Sequence, residues 1–87
     1  MNIILYSKPG CHLCEGLEEK LRAMTDISLQ IEVRDITTNS NWFELYQYEI
    51  PVMFLMTQKG EKLIPRTSPR VSVIQLRKVL QRFAESI

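Results

Sequence analysis

The chain is 87 residues long, 45% hydrophobic and 24% charged, with 11 basic and 10 acidic side chains and a formal net charge of +1. Such proportions fit a globular chain rather than a disordered one, and the length argues for a single domain spanning residues 1–87. The balanced charge supplies no field of the strength that nucleic acid or an anionic membrane surface calls for, so neither is expected as a partner.

Ile3-Ile4-Leu5-Tyr6 is an unbroken apolar run that stops at Lys8-Pro9-Gly10. It predicts a strand buried on both faces and closed by a turn. Leu13, Leu17, Leu21 and Met24 then recur at helical spacing, with Cys14 beside that stripe. Glu15, Glu18 and Glu19 precede Lys20 and Arg22, the order that complements a helix dipole. Leu29, Ile31 and Val33 alternate with Gln30, Glu32 and Arg34, the period of a strand with one buried face. Strand, helix and strand in such quick succession make a βαβ unit with parallel strands.

The polar stretch from Thr37 to Asn41 suits a helix cap. A short helix is expected after it, from Trp42 to Tyr48, turning Trp42, Leu45 and Tyr46 inward. Ile50 to Met56 reads as a second fully buried strand, and Pro51 fits because the first residue of a strand tolerates proline. Gln58-Lys59-Gly60 is a hairpin signal, with Glu61 to Ile64 as the return strand. Pro65 to Val71 is a loop carrying Arg66 and Arg70. Ser72 and Gln75 form a capping box, and Val71 with Leu76 a hydrophobic staple, at the start of a last helix. Val73, Leu76, Leu80 and Phe83 are its apolar stripe.

The apolar runs are too short to cross a bilayer. The start carries no basic segment, apolar stretch and small-residue cleavage site of a secretory leader. The protein is therefore expected in the cytoplasm, as a small monomer with a thin core. In that compartment two cysteines separated by two residues point to redox or metal chemistry rather than to a structural staple. Closing so short a ring stabilises a fold by only about 2 kcal/mol.

Cys11-His12-Leu13-Cys14 falls between a buried strand and the first turn of a helix. Unpaired backbone N–H groups and the helix dipole stabilise a thiolate there. Cys11, the outer residue, is the expected nucleophile. Cys14, one turn further in on the same face, is expected to resolve the mixed disulfide. The plain alternative is two cysteines that only fill space, which gives no reason to put one at an exposed helix start.

Tyr6-Ser7-Lys8-Pro9-Gly10-Cys11-His12-Leu13-Cys14, followed by Ile50-Pro51-Val52, resembles the glutaredoxin-like family of the thioredoxin superfamily. The order of elements is similar from Asn2 to about Phe83, and the pairing of the cysteine motif with a strand-start proline makes the resemblance specific. It implies an α/β, thioredoxin-like fold: a four-stranded mixed sheet flanked by three helices in the order β-α-β-α-β-β-α. It also implies a cis Ile50–Pro51 bond, whose backbone edge faces the thiols and pairs with the substrate's backbone. The bare sequence favours an ordinary trans proline at that point.

The same resemblance makes Lys8, His12, Leu13, Ile50 and Pro51 substrate-binding candidates. Lys8 matches a lysine that stabilises the thiolate and attracts the carboxylates of glutathione; taken alone it reads equally as a solvated loop lysine. A protonated His12 favours the thiolate, but the dipole disfavours an imidazolium at a helix start, so a neutral exposed ring is the expectation. Two departures weaken glutathione recognition. Leu13 stands where an aromatic residue is usual, and Pro69-Arg70-Val71-Ser72 replaces a Gly-Gly-Asp turn. Arg66 and Arg70 are candidate contacts to a carboxylate, against the plainer reading of solvated loop charges. Trp42, Tyr46 and Tyr48 read as packing residues.

The expected function is a thiol–disulfide oxidoreductase that passes electrons through its dithiol to disulfide-bearing proteins or glutathione mixed disulfides. No bound cofactor is expected, and glutathione or a thioredoxin-type reductase is the candidate reductant. The competing function is a non-catalytic binding module offering its sheet edge and thiols to a partner protein or a shared metal. Zinc and iron–sulfur clusters take four ligands. Cys11, Cys14 and His12 fall short of that without a second chain, so no metal site is expected.

Overall fold

The computed structural model describes residues 1–86; Ile87, the last residue of the expected domain, lies outside them. Strand β1 (Asn2–Ser7) leads to helix α1 (His12–Arg22), strand β2 (Gln30–Asp35) and a 3-10 turn (Ile36–Thr38). Helix α2 (Ser40–Tyr46), the hairpin of β3 (Val52–Thr57) and β4 (Gly60–Leu63), and helix α3 (Val73–Glu85) follow. The sheet order is β2-β1-β3-β4, with β1 and β2 parallel and the remaining pairs antiparallel. This is the mixed four-stranded sheet with three helices that the family resemblance implied.

Successive side chains of a strand point to opposite faces, and β1 fills both. Ile3 and Leu5 join Leu21 and Met24 from the α1 side and Leu76 and Leu80 of α3, with Met53, Leu55 and Ile64. Ile4 and Tyr6 point the other way, onto Ile36, with Trp42, Tyr46, Ile50, Val52 and Phe54 packed around them. So α1 and α3 cover one face and α2 the other. Full burial of one such aliphatic side chain contributes about 1.5–3 kcal/mol, and β1 places four consecutive buried residues, Ile3 to Tyr6, at the centre of the sheet.

The α2 face is aromatic. The Tyr6 ring centroid lies 4.3 Å from that of Tyr46, and 5.7 Å from those of Trp42 and Phe54. Arg34 of β2 spans this cluster. Its guanidinium carbon sits 5.5 Å from the Tyr6 ring centroid and 5.4 Å from that of Trp42. Its Nη1 donates to the Tyr6 hydroxyl at 2.8 Å and to Glu61 of β4 at 3.2 Å, while Nε donates to Glu32. The Glu32 hydrogen bond raises the Arg34 pKa above its ordinary value, against the opposing effect of partial burial. For the Tyr46 hydroxyl, an acid, burial acts the other way and pushes the pKa upward.

Helix ends are capped as the composition suggests. Ser72 and Gln75 form the reciprocal capping box of α3, and Val71 packs against the core that buries Leu76. Asn39 caps α2 by accepting from the N–H groups of Asn41 and Trp42, so that helix starts two residues before the expected Trp42.

Several expected placements differ. Leu45 and Tyr48 are exposed rather than packed, because α2 is only seven residues long and turns only one side, carrying Trp42 and Tyr46, to the sheet. β3 begins at Val52 instead of Ile50 and is not buried throughout: Met56 is exposed. β4 starts at Gly60, whose φ of +104° suits a residue without a side chain, and Ile64 lies just past its end. Val33 is partly wet because β2 is an edge strand. Leu13 leaves the buried stripe of α1 altogether.

Candidate active site

Lys8 to Cys11 make a tight turn, closed by a hydrogen bond from the Cys11 N–H to the Lys8 carbonyl at 3.3 Å. Pro9 and Gly10 occupy its central positions, and Gly10 has a φ of +80°. Proline followed by a residue of positive φ is the requirement of a type II turn. The turn delivers Cys11 as the N-cap of α1, in extended conformation. An N-cap side chain normally offers an acceptor to the first free N–H groups of the helix. Here the acceptor is sulfur: the Cys14 N–H donates to Cys11 Sγ at 3.3 Å.

Cys11 and Cys14 are joined in a disulfide, with Cα atoms 5.3 Å apart. The two sulfurs differ in access. Cys14, on the buried side of α1, is 1% exposed, whereas Cys11 is half-buried. An incoming thiolate therefore meets Cys11 first.

The register of β1 with β3 pairs Tyr6 with Val52. That pairing sets the start of β3 beside the end of β1, from which the cysteine turn departs. The Ile50–Pro51 bond is cis. On its far side β3 pairs with β4 as far as Phe54–Leu63, and the Ile64 N–H closes onto the Met53 carbonyl at 3.0 Å. Pro51 and Val52 lie beyond that last pair. Pro51 shares a cleft of about 490 Å³ with His12 and Leu13, and the cleft continues past Phe54 to Leu63, Leu45 and Pro65.

The candidate residues divide on this geometry. Pro51, His12, Leu13 and Arg66 all line the cleft. The His12 side chain is 95% exposed, with Nδ1 3.8 Å from the Glu15 carboxylate. Leu13 is 54% exposed. Arg66 is already engaged: it donates to the Glu49 carbonyl and lies 3.9 Å from the Glu49 carboxylate. Ile50 packs into the aromatic face instead. Lys8 and Arg70 are exposed and lie outside the cleft lining.

Four further cleft residues were not among the candidates read from the sequence. Leu45 and Leu63 are exposed apolar side chains on its rim. Glu49 adjoins the Ile50-Pro51 signal and was detectable from that position alone. Lys20 donates from α1 to the Pro69 carbonyl at 2.7 Å, across 49 residues of sequence, a separation at which no local pattern gives warning. Among the described residues, no group of three or more His, Cys, Asp or Glu side chains is arranged to hold a metal ion. Among them, too, no helix is long and apolar enough to cross a membrane.

The structure is similar to that of thioredoxin 1 from the thermophilic eubacterium Thermosipho africanus TCF52B, with a TM-score of 0.65 at 20% identity, covering 98% of this chain and 96% of that one. That likeness establishes the thioredoxin-like fold. The family model described as Glutaredoxin-like domain (DUF836) matches residues 2–81, nearly the whole chain and both halves of the site. The chain thus belongs to the glutaredoxin-like family and has a thioredoxin-like fold.

Proposed function

We propose that the protein is a thiol–disulfide oxidoreductase acting on protein disulfides or glutathione mixed disulfides. The observation that carries this reading is the unequal access of two bonded sulfurs: Cys11 half-buried at a helix N-terminus, Cys14 enclosed behind it. In the reduced protein the Cys11 thiolate attacks one sulfur of a substrate disulfide. A bond from Cys11 to that sulfur forms, the substrate S–S bond breaks, and the other substrate sulfur leaves as a thiolate. The Cys14 thiolate then attacks Cys11 Sγ, forms the Cys11–Cys14 bond and expels the second substrate thiolate. Two electrons have passed from the dithiol to the substrate. A thiol such as glutathione, or a dithiol reductase, returns them.

The cleft beside Pro51 would receive the chain flanking the substrate cysteine, and a reducing compartment such as the cytosol suits the cycle. The test is turnover of a disulfide-bearing protein by the parent and by Cys11→Ser, with glutathione plus its reductase or with a thioredoxin-type reductase as donor. Turnover that needs Cys11 supports the proposal, and the donor that sustains it identifies the reductant. Equal rates for parent and Cys11→Ser would remove it.

A further inference from the structure

The cleft beside the dithiol has a chemistry of its own. Its rim presents Leu13, Leu45 and Leu63, each more than half exposed, and Phe54 and Pro65 line it between them. Apolar surface left in water gains by being covered, and a contiguous patch of it commonly marks a binding surface. Its size falls in the range of ligand-binding clefts, about 300–1,000 Å³. The lysine and arginine that line it already have hydrogen-bond partners. The Lys20 ammonium is bonded to the Pro69 carbonyl, and the Arg66 guanidinium to Glu49, whose carboxylate it faces.

Resting on the dithiol reading above, we infer that this cleft selects protein disulfides whose reacting cysteine is flanked by large apolar side chains, in preference to glutathione. Two observations commit it to that occupant. His12 and Leu13, the two residues between the cysteines, line the cleft together with Pro51, so the chain that flanks a substrate cysteine bonded to Cys11 adjoins it. Its lysine and arginine are already hydrogen-bonded within the protein, and its exposed rim is leucine, which suits a leucine or phenylalanine side chain. A tripeptide with two carboxylates and an ammonium group meets apolar walls and cations that already have partners.

The probe is a set of mixed disulfides that share one chromophoric aryl thiol as leaving group. One carries a short peptide with leucine and phenylalanine beside its cysteine, one a peptide with glutamates there, and one glutathione. The protein, reduced beforehand with dithiothreitol, is mixed with each, and release of the aryl thiolate is followed by absorbance in a single turnover. Cys11 takes the peptide sulfur, the aryl thiolate leaves, and Cys14 then displaces the peptide, so the protein supplies both electrons.

The apolar peptide is expected to react about tenfold or more faster than the other two, that ratio corresponding to about 1.4 kcal/mol. Leu45→Gln and Leu63→Gln should each bring it toward one. Ile74→Gln, at an exposed position of α3 outside the cleft lining, should keep the parent ratio. Equal rates across the three probes, or a faster reaction with glutathione, overturn the inference while leaving the oxidoreductase intact. So does a concentration-dependent dimer dissolved by Leu63→Gln in sedimentation, which would make a second copy the occupant. No reaction with any of them, nor with a small aryl disulfide, removes the oxidoreductase reading itself and this inference with it.

Discussion

The backbone N–H of Cys14 points at the sulfur of Cys11 from 3.3 Å. With the helix start unchanged by reduction, the same donor at the positive end of α1 would serve a Cys11 thiolate. A donor to the charged form stabilises it, so we predict that Cys11 is the more acidic thiol and alkylates first. The measurement is iodoacetamide labelling of the reduced protein against pH, with mass mapping. Half-maximal labelling of Cys11 is expected below the ordinary thiol value of about 8.5. Prior labelling of Cys14 would reverse the assignment of roles.

Cys14 is enclosed, and its position leaves it one accessible partner, the sulfur of Cys11. We predict that Cys14→Ser reacts once with a protein disulfide and stops at a mixed disulfide through Cys11. The adduct should appear on a non-reducing gel and in intact mass. If Cys14→Ser turns over such a substrate at the parent rate, resolution comes from elsewhere.

Much of this site was legible in the sequence because its parts are local. The turn at Lys8-Pro9-Gly10, the cysteines one helical turn apart and the Ser72–Gln75 box each follow from residues within a few positions of one another. Ile50-Pro51-Val52 needed the resemblance as well, since nothing in the bare sequence sets that bond cis. Leu13 and Leu45 were misplaced for one shared reason. Periodicity identifies apolar helix positions but not which of them the sheet covers, and both side chains lie exposed along the cleft instead. Tyr48 was misplaced because helix α2 ends before it. Arg34 was read as a plain polar position of β2. Its hold on Tyr6 and Glu61 joins segments 28 and 27 residues away, and only the strand order β2-β1-β3-β4 reveals it.

That hold on Tyr6 yields a stability prediction. A hydrogen bond to a charged group contributes about 1.5–3 kcal/mol, and a cation over an aromatic face about 0.5–1 kcal/mol where solvent reaches it. Arg34 is partly exposed, and exposed ion pairs such as that with Glu61 add little. Arg34→Ala is therefore predicted to destabilise the fold by about 1–2 kcal/mol, in line with these magnitudes. Arg34→Lys should recover only part, since an ammonium lacks the planar fork. Urea unfolding followed by the fluorescence of Trp42, the single tryptophan, reports it. A loss too small to resolve would show the aromatic cluster to be self-sufficient.

Tyr46 carries a pH consequence. Burial raises its pKa above the ordinary 10.0, so in the folded protein the neutral phenol is favoured. The unfolded chain loses that proton first as pH rises. The stabilisation is therefore fully present below about pH 10 and is lost as pH climbs through the folded value. Tyr46→Phe is predicted to flatten the decline of stability above about pH 10. Identical pH profiles for parent and variant would assign that decline to other groups.

The last prediction concerns Arg66 and the carboxylates of glutathione. In the free protein Arg66 is turned to Glu49, bonded to its carbonyl and 3.9 Å from its carboxylate. A glutathione carboxylate must compete with Glu49 for that guanidinium. The Gly-Gly-Asp turn that would otherwise hold the tripeptide is replaced by Pro69-Arg70-Val71-Ser72. A lost charge-assisted contact costs about 1.5–3 kcal/mol, so the parent should use a glutathionylated substrate about tenfold to a hundredfold less efficiently than a glutaredoxin bearing that turn. Both Arg66 and Glu49 are exposed, and such a pair contributes only about 0–1 kcal/mol. Glu49→Gln removes the competing charge and frees the guanidinium. It is predicted to raise kcat/KM for the glutathionylated substrate by up to about fivefold, which is about 1 kcal/mol. The gain should shrink in 0.5 M salt, where the screening length falls to about 4–5 Å, and should vanish in the double variant Glu49→Gln with Arg66→Ala. Arg66→Ala alone is expected to change the rate by less than about twofold, because its charge was already matched. A parent as efficient as a typical glutaredoxin, unmoved by either substitution, would mean that glutathione is held by other residues.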